Sequence, residues 1–269
     1  MKFVERLAGI GLEKERVAVA LLALSFFCVV YSLLALSPPP GWRPVFVALA
    51  GCYVIAFLAV ACRWFWGRWV ASGLAWSGTM LGLVSLVMLG WQPALAVYGG
   101  LHALVLAMLA GGRMAARYEL QSAWRERFAI DEFGAARLRR YVMRASAALP
   151  SLIVWALGPR QGQGGWMLAS VAALLALGGL AGTLSMRTWG ILATAVAGIV
   201  ALTGFGLARP VLVGAIGWTD PVTWVGTAPG GMAFAAVLLL AAVSPFAGPI
   251  VRTWRSLPRY SRPFKMSRR

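Results

Sequence analysis

Apolar residues occur along this chain in eight long runs, separated by short polar breaks or by breaks that contain glycine and proline. Runs of this length suit helices that cross the hydrocarbon core of a bilayer, which is about 30 Å thick. The pattern therefore predicts an all-α integral membrane protein with eight transmembrane helices, at residues 17–36, 44–62, 70–89, 94–111, 145–158, 166–186, 189–208 and 230–251.

Two of these runs have an alternative interpretation. The run at 145–158 has only about fourteen residues, a length that also fits a re-entrant segment. The run at 17–36 could belong to a signal peptide, but it is longer than a typical apolar signal region, and Pro38 directly follows the possible cleavage site. We expect a full crossing in the first case and a retained anchor in the second.

Short landmarks at the ends of the first four runs recur in the same order among the last four. They are Gly41-Trp42 and Gly165-Trp166, Arg63 to Gly67 and Arg187 to Gly190, Gly90 to Pro93 and Gly217 to Pro221, and Gly99-Gly100 and Gly230-Gly231. We predict a tandem duplication of a four-helix unit. Since four spans are an even number, the units would share one orientation and be related by a pseudo-two-fold axis along the membrane normal. The alternative is that membrane proteins commonly place such residues at span ends.

Composition and charge agree with a membrane protein. Of the 269 residues, 60% are apolar and 12% are charged, and the formal net charge is +17, far from the balance of an ordinary soluble domain. In the eight-span arrangement, 22 of the 25 Lys and Arg residues lie on one side, and only Arg43, Arg160 and Arg209 lie on the other. This asymmetry predicts cytoplasmic N- and C-termini in a bacterial inner membrane, with anionic lipid headgroups rather than nucleic acid as the partners of the basic residues.

The longest polar stretch divides the chain into a first membrane unit at 1–112, a basic connector at 113–144, a second membrane unit at 145–251 and a basic tail at 252–269. In the connector, Leu120, Trp124 and Phe128 recur every four residues, which predicts a helix whose apolar face rests on the membrane. The basic residues predicted to contact lipid phosphates or a partner, together with Trp124, are Arg117, Arg125, Arg127, Arg137, Arg139 and Arg140. A second helix, capped by Asp131, is predicted to run through Arg137, Arg139 and Arg140 into the fifth run. The alternative is a solvated connector that only sets topology.

His102 is the single histidine and lies inside the fourth predicted span. Such a residue can ligate haem or chlorophyll or relay protons. One histidine cannot supply both axial ligands of a haem, and the matching position in the second unit is Ala233. We therefore expect a helix-packing hydrogen bond and no cofactor.

Asp220 is the only acid in the loops of the opposite side, so it is a candidate for binding a cation or a partner, although Asp-Pro commonly begins a turn. No catalytic or metal-binding motif is visible in the sequence, and the three cysteines lack the spacing of zinc ligands. We predict no metal site and no enzymatic activity.

These observations favour a non-catalytic structural or assembly component of a membrane complex, which would contact other membrane proteins or further copies of itself. The alternative is a transporter of a lipid or another apolar molecule, with its site between the two units. A cavity between the units would favour transport, and a close-packed seam would favour assembly. A lipid-modifying enzyme is a third hypothesis and would require polar groups clustered at one interface.

Overall fold

The computed structural model describes residues 13–119, 132–159, 166–216 and 229–256, and these residues form an all-helical protein. Within these ranges the helices are α1 (Glu13–Leu36), α2 (Arg43–Ala61), α3 (Gly67–Leu89), α4 (Pro93–Leu109), α5 (Gly112–Glu119), α6 (Glu132–Leu157), α7 (Trp166–Leu184), α8 (Trp189–Ile216) and α9 (Pro229–Ser256). Side chains in 206–216 and 249–256 are not described.

Five of these helices are long and apolar enough to cross a membrane, and a sixth span results if the bent pair α4 and α5 is counted as one. The protein is therefore a helical membrane protein. Proline supports the helix starts, because Pro44 and Pro93 occupy first-turn positions where a missing N–H leaves no bond unmade. Gly90 ends α3 with a φ of 77°, in the left-handed region that glycine adopts without strain.

The run at 145–158 belongs to a much longer element. It forms the second part of α6, a continuous helix of 26 residues that contains Pro150. At 1.5 Å per residue, this helix is about 39 Å long. The first half of α6 contains four arginines, which lower its hydropathy. For this reason α6 is not among the helices whose composition alone suits a membrane span.

The helices pack as two groups of four. In the first group the neighbours are α1 with α2, α2 with α3, α3 with α4, and α4 with α1. The second group repeats this order, with α6 beside α7, α7 beside α8, α8 beside α9, and α9 beside α6. The third helix of the first group packs on the first helix of the second group, so the contact of α3 with α6 forms the main seam.

The contact between the two groups does not have two-fold symmetry. A two-fold axis between the groups would also place α8 against α1, and no comparable packing of these two helices occurs among the described residues. The pseudo-two-fold axis predicted from the even number of spans therefore does not describe the seam. The groups follow one another in a head-to-tail arrangement instead.

The turns α2–α3 and α7–α8 have the same backbone conformation. Arg63 and Met186 have positive φ values of 54° and 57°. The N–H of Trp64 donates to Ala59 O at 2.9 Å, and that of Arg187 donates to Gly182 O at 2.8 Å. The next bond also recurs, from Gly67 N–H to Trp64 O and from Gly190 N–H to Arg187 O. The structure thus pairs Arg63 with Met186, one residue away from the pairing with Arg187 that the sequence predicts, while Gly67 still matches Gly190.

Candidate functional site at the basic end

Polar side chains gather at one end of the bundle, where α1 begins, α4 ends and α5 lies. We call this region the basic end. Gly111 has a φ of 99°, which only glycine adopts readily, and α5 turns there by 73° away from α4. As a result, α5 lies across the helix ends of the first group and buries Met114, Tyr118 and Glu119 against them.

The carboxylate of Glu119 is the centre of this region. Its Oε1 accepts hydrogen bonds from Arg68 Nη1 and from Trp69 Nε1, the latter at 2.8 Å. Its Oε2 accepts from Arg139 Nη1 at 3.2 Å. The Glu119 side chain is only 10% exposed, so the charge-assisted bonds offset the cost of burying a carboxylate. Through these bonds α5 is joined both to α3 and to α6.

Two arginines cap the end of α4. The last carbonyl groups of a helix have no intrahelical donor. Arg16 Nη2 donates to Ala107 O at 3.0 Å and to Ala110 O at 2.6 Å, and Arg68 Nε donates to Leu109 O at 2.8 Å. Positive charge also favours this end of the helix dipole. These cations therefore have structural partners within the protein.

The structure places Arg117 against protein as well. Its Nη1 lies 3.6 Å from a carboxylate oxygen of Glu13, and the hydroxyl of the adjacent Tyr118 donates to Val60 O at 3.0 Å. This ion pair fastens α5 to α1, and the contact of Arg117 with lipid or a partner stays a prediction. The other predicted contacts in this part of the connector, Trp124, Arg125 and Arg127, lie outside the described residues.

The three arginines at the start of α6 point in different directions. Arg139 turns inward to Glu119, whereas Arg137 and Arg140 are exposed. Phe133, which is 77% exposed, lies on the same side of the helix, because positions 133, 137 and 140 follow the spacing of one helix face. We call Phe133, Arg137 and Arg140 the α6 outer stripe.

His102 is fully buried and both ring nitrogens are bonded. Its Nδ1 lies 2.8 Å from the carbonyl oxygen of Tyr98, which can only accept, so Nδ1 carries the hydrogen. In the neutral ring, Nε2 then accepts from the hydroxyl of Tyr53 at 2.6 Å. Phe27 stacks on the ring at 3.8 Å between centroids. A histidine bonded in this way has no free lone pair to offer a haem or chlorophyll.

Met232 in the second group has surroundings similar to those of His102. Each is fully buried in the fourth helix of its group, and each faces a glycine of the third helix: a Cβ at Gly78 would strike the His102 ring, and one at Gly204 would meet the Met232 side chain. The sequence landmarks pair His102 with Ala233, the next residue along α9.

The seam between the groups is close-packed at Gly73. A Cβ built there would collide with Ser146 Oγ and with the carbonyl of Met143, both in α6. Elsewhere along the seam, Trp76 stacks on Phe234 of α9 with centroids 5.8 Å apart and ring planes 5° apart. The close approach of the α3 backbone to α6 at Gly73 is the way in which small residues stabilise helix pairs in membranes.

A half-buried arginine supports the second group. Ala241 O would accept the N–H of residue 245 in a regular helix, but Pro245 has none. Arg144 Nη1 donates to this carbonyl at 2.5 Å, and the Ser244 hydroxyl donates to it at 2.9 Å. Arg144 therefore links α6 to α9 by replacing a bond that proline removes.

The sequence pattern missed Glu119, Arg68, Trp69 and Arg144 as partners, since these bonds join residues far apart in the chain. The one local signal was Gly111-Gly112, which marks the bend before α5. Polar groups do cluster at one interface, as an enzyme hypothesis requires, but they are guanidinium, carboxylate, indole and phenol groups bonded to one another. Within the described ranges no group of three His, Cys, Asp or Glu residues could hold a metal ion. Asp220 lies outside those ranges.

The chain matches no family model, no curated protein and no solved structure.

Proposed function

We propose that this protein is a non-catalytic structural or assembly component of a membrane complex. In this proposal it crosses a bacterial inner membrane eight times as two tandem four-helix units, and the basic end and both termini face the cytoplasm. The observation that carries the proposal is the close-packed seam at Gly73. A site for a substrate between the units would require space there, whereas a rigid component requires contact.

The repeated packing order supports the duplication. So do the matched turns at Arg63 and Met186. A third agreement comes from the first helix of each group, in which the buried residues align in sequence order: Ala20, Ala23, Leu24 and Phe27 in α1 correspond to Ala145, Ala148, Leu149 and Leu152 in α6. Three independent agreements favour descent from one unit over chance placement of glycine and tryptophan.

The α6 outer stripe is the proposed contact surface for a partner protein. It combines two exposed guanidinium groups with an exposed phenyl ring, and arginine and aromatic residues are the types enriched at protein interfaces. Two positive charges complement an acidic surface on the partner. Arg139 is not part of this surface, because it is engaged by Glu119.

The test is affinity capture of the tagged protein from a mild detergent extract, followed by native mass spectrometry. The wild type is expected to carry a reproducible partner or further copies of itself. Reversing both arginines of the stripe (R137E/R140E) is expected to remove that partner while leaving Arg139 untouched. A matched control, R113E/R187E, makes the same change of charge at two other exposed arginines. Topology of each variant is checked by the accessibility of loop cysteines.

Two outcomes would contradict the proposal. One is recovery of the wild type only as a 28.7 kDa monomer. The other is equal loss of the partner in the stripe variant and the control, which would indicate a general effect of charge, such as attraction to anionic lipid. Loss in the stripe variant alone supports the proposed surface.

A further inference from the structure

We infer that α5 is a strap and that Glu119 is a latch, which holds the second helical group against the first at the basic end. This inference concerns the fold and does not depend on which partner the protein binds. It rests on one carboxylate that bonds to both groups at once, through Arg68 and Trp69 in α3 and through Arg139 in α6.

The strap is fastened at its C-terminal end by three successive residues. Arg117 pairs with Glu13 of α1, and Tyr118 donates to Val60 O of α2. Glu119 is the last residue of α5 and makes the contact that reaches the second group. A strap held by three helices of the first group therefore ends on a bond that positions α6.

The arrangement is not a feature of each repeat unit. The matched turns align Gly67 with Gly190, so the positions equivalent to Arg68 and Trp69 are Ile191 and Leu192, which cannot bind a carboxylate. In addition, no acidic residue follows Asp220 anywhere in the sequence. Only the first unit has the parts of the latch, as expected if its purpose is to join the two units rather than to close a single four-helix group.

The backbone before the strap is not held by packed side chains. Its bend lies at Gly111 and Gly112, where a built Cβ would meet no heavy atom within 4 Å, so no packed side chain blocks rotation there. The remainder of the connector, from residue 120 onward, follows Glu119 directly in the chain. A force applied to the connector would consequently act first on the bond that positions α6.

The test compares amide hydrogen exchange in the full-length protein in lipid nanodiscs. R139Q removes only the bond between the groups and leaves the pair of Arg68 and Glu119 in place. E119Q weakens the bonds of residue 119 to Arg68, Trp69 and Arg139 together. Because a hydrogen bond to a charged group stabilises by an amount equivalent to roughly a tenfold change or more in an equilibrium, both variants are expected to speed exchange about tenfold in residues 132–143. Exchange in α1 should stay unchanged in R139Q. R140Q, which alters the neighbouring exposed arginine, is the matched control.

A double variant, E119Q/R139Q, completes the test. If the two residues act through one shared bond, exchange in residues 132–143 matches that of E119Q alone. The inference is overturned if R139Q exchanges like the wild type, or if the effects of the two substitutions simply add. If E119Q does not fold, R139Q still tests the inference. The side chain of Arg139 is 38% exposed, and its removal leaves no buried cation without a partner.

Discussion

Replacing Gly73 by alanine tests the close contact between the two helical groups. The new methyl group would overlap with Ser146 Oγ and with the carbonyl of Met143. Neither neighbour can yield easily. The serine hydroxyl is held by a bond of 2.7 Å to Val142 O, and the carbonyl is part of the α6 backbone. The seam would have to open by roughly 1 Å to restore ordinary contact distances.

Such overpacking typically costs about 1–3 kcal/mol in the free energy of unfolding. For a chain of this size, each kcal/mol lowers the melting temperature by roughly 2–4 °C. The expected decrease for Gly73→Ala is therefore roughly 2–12 °C. The decrease should be larger for Gly73→Val, since its branched side chain adds two more methyl groups at the same contact.

The assay is thermal unfolding of purified protein in one detergent, followed by circular dichroism at a fixed scan rate. Gly51→Ala and Gly100→Ala are the matched controls, because a Cβ at either position meets no heavy atom within 4 Å. These controls should be neutral or slightly stabilising, since alanine is a better helix former than glycine by about 1 kcal/mol. If Gly73→Ala melts with the controls or above them, the seam is not close-packed.

Two further predictions concern polar bonds between helices. Arg144→Met should lower the free energy of unfolding by about 1–3 kcal/mol, because the Ala241 carbonyl then loses a donor. Pro245→Ala should reduce that loss, since it restores a helical N–H to the same carbonyl. A double-mutant cycle of melting curves measures both effects, and an equal loss in both backgrounds would contradict this explanation. Tyr53→Phe should cost about 1–3 kcal/mol because it leaves Nε2 of His102 buried without a donor, and a variant that melts like the wild type would show that this bond is dispensable.

The helices were largely predictable because apolar length and helix-ending residues are local signals. The run at 44–62 corresponds to α2 at Arg43–Ala61, and the run at 70–89 corresponds to α3 at Gly67–Leu89. The longest departure is α6, whose helix begins at Glu132 inside the connector. The predicted helix through Arg137 and Arg140 into the fifth run does form, so its continuity was visible in the sequence while its packing was not.

The direction of individual side chains in the connector was not predictable in the same way. A basic segment beside a membrane suggests contact with phosphates, and the periodicity of the segment does not show that Glu119 and Glu13 lie within reach of Arg139 and Arg117. Those pairs depend on the bend after α4, which brings residues separated by long stretches of chain together. The four arginines of α6 thus divide into two that bond within the protein, Arg139 and Arg144, and two that are exposed, Arg137 and Arg140. Tertiary packing sets this distinction.

Spin-label distance measurements across the seam test the central claim, a rigid association of the two helical groups, most directly. In a cysteine-free background, one pair of labels replaces Trp64 and Trp189 near the basic end, and a second pair replaces Val87 and Met167 near the opposite end; all four side chains are exposed. We expect one narrow distance distribution for each pair in lipid nanodiscs. Two populations at each end, changing in opposite directions at the two ends, would instead indicate alternating access and would contradict the proposed structural role.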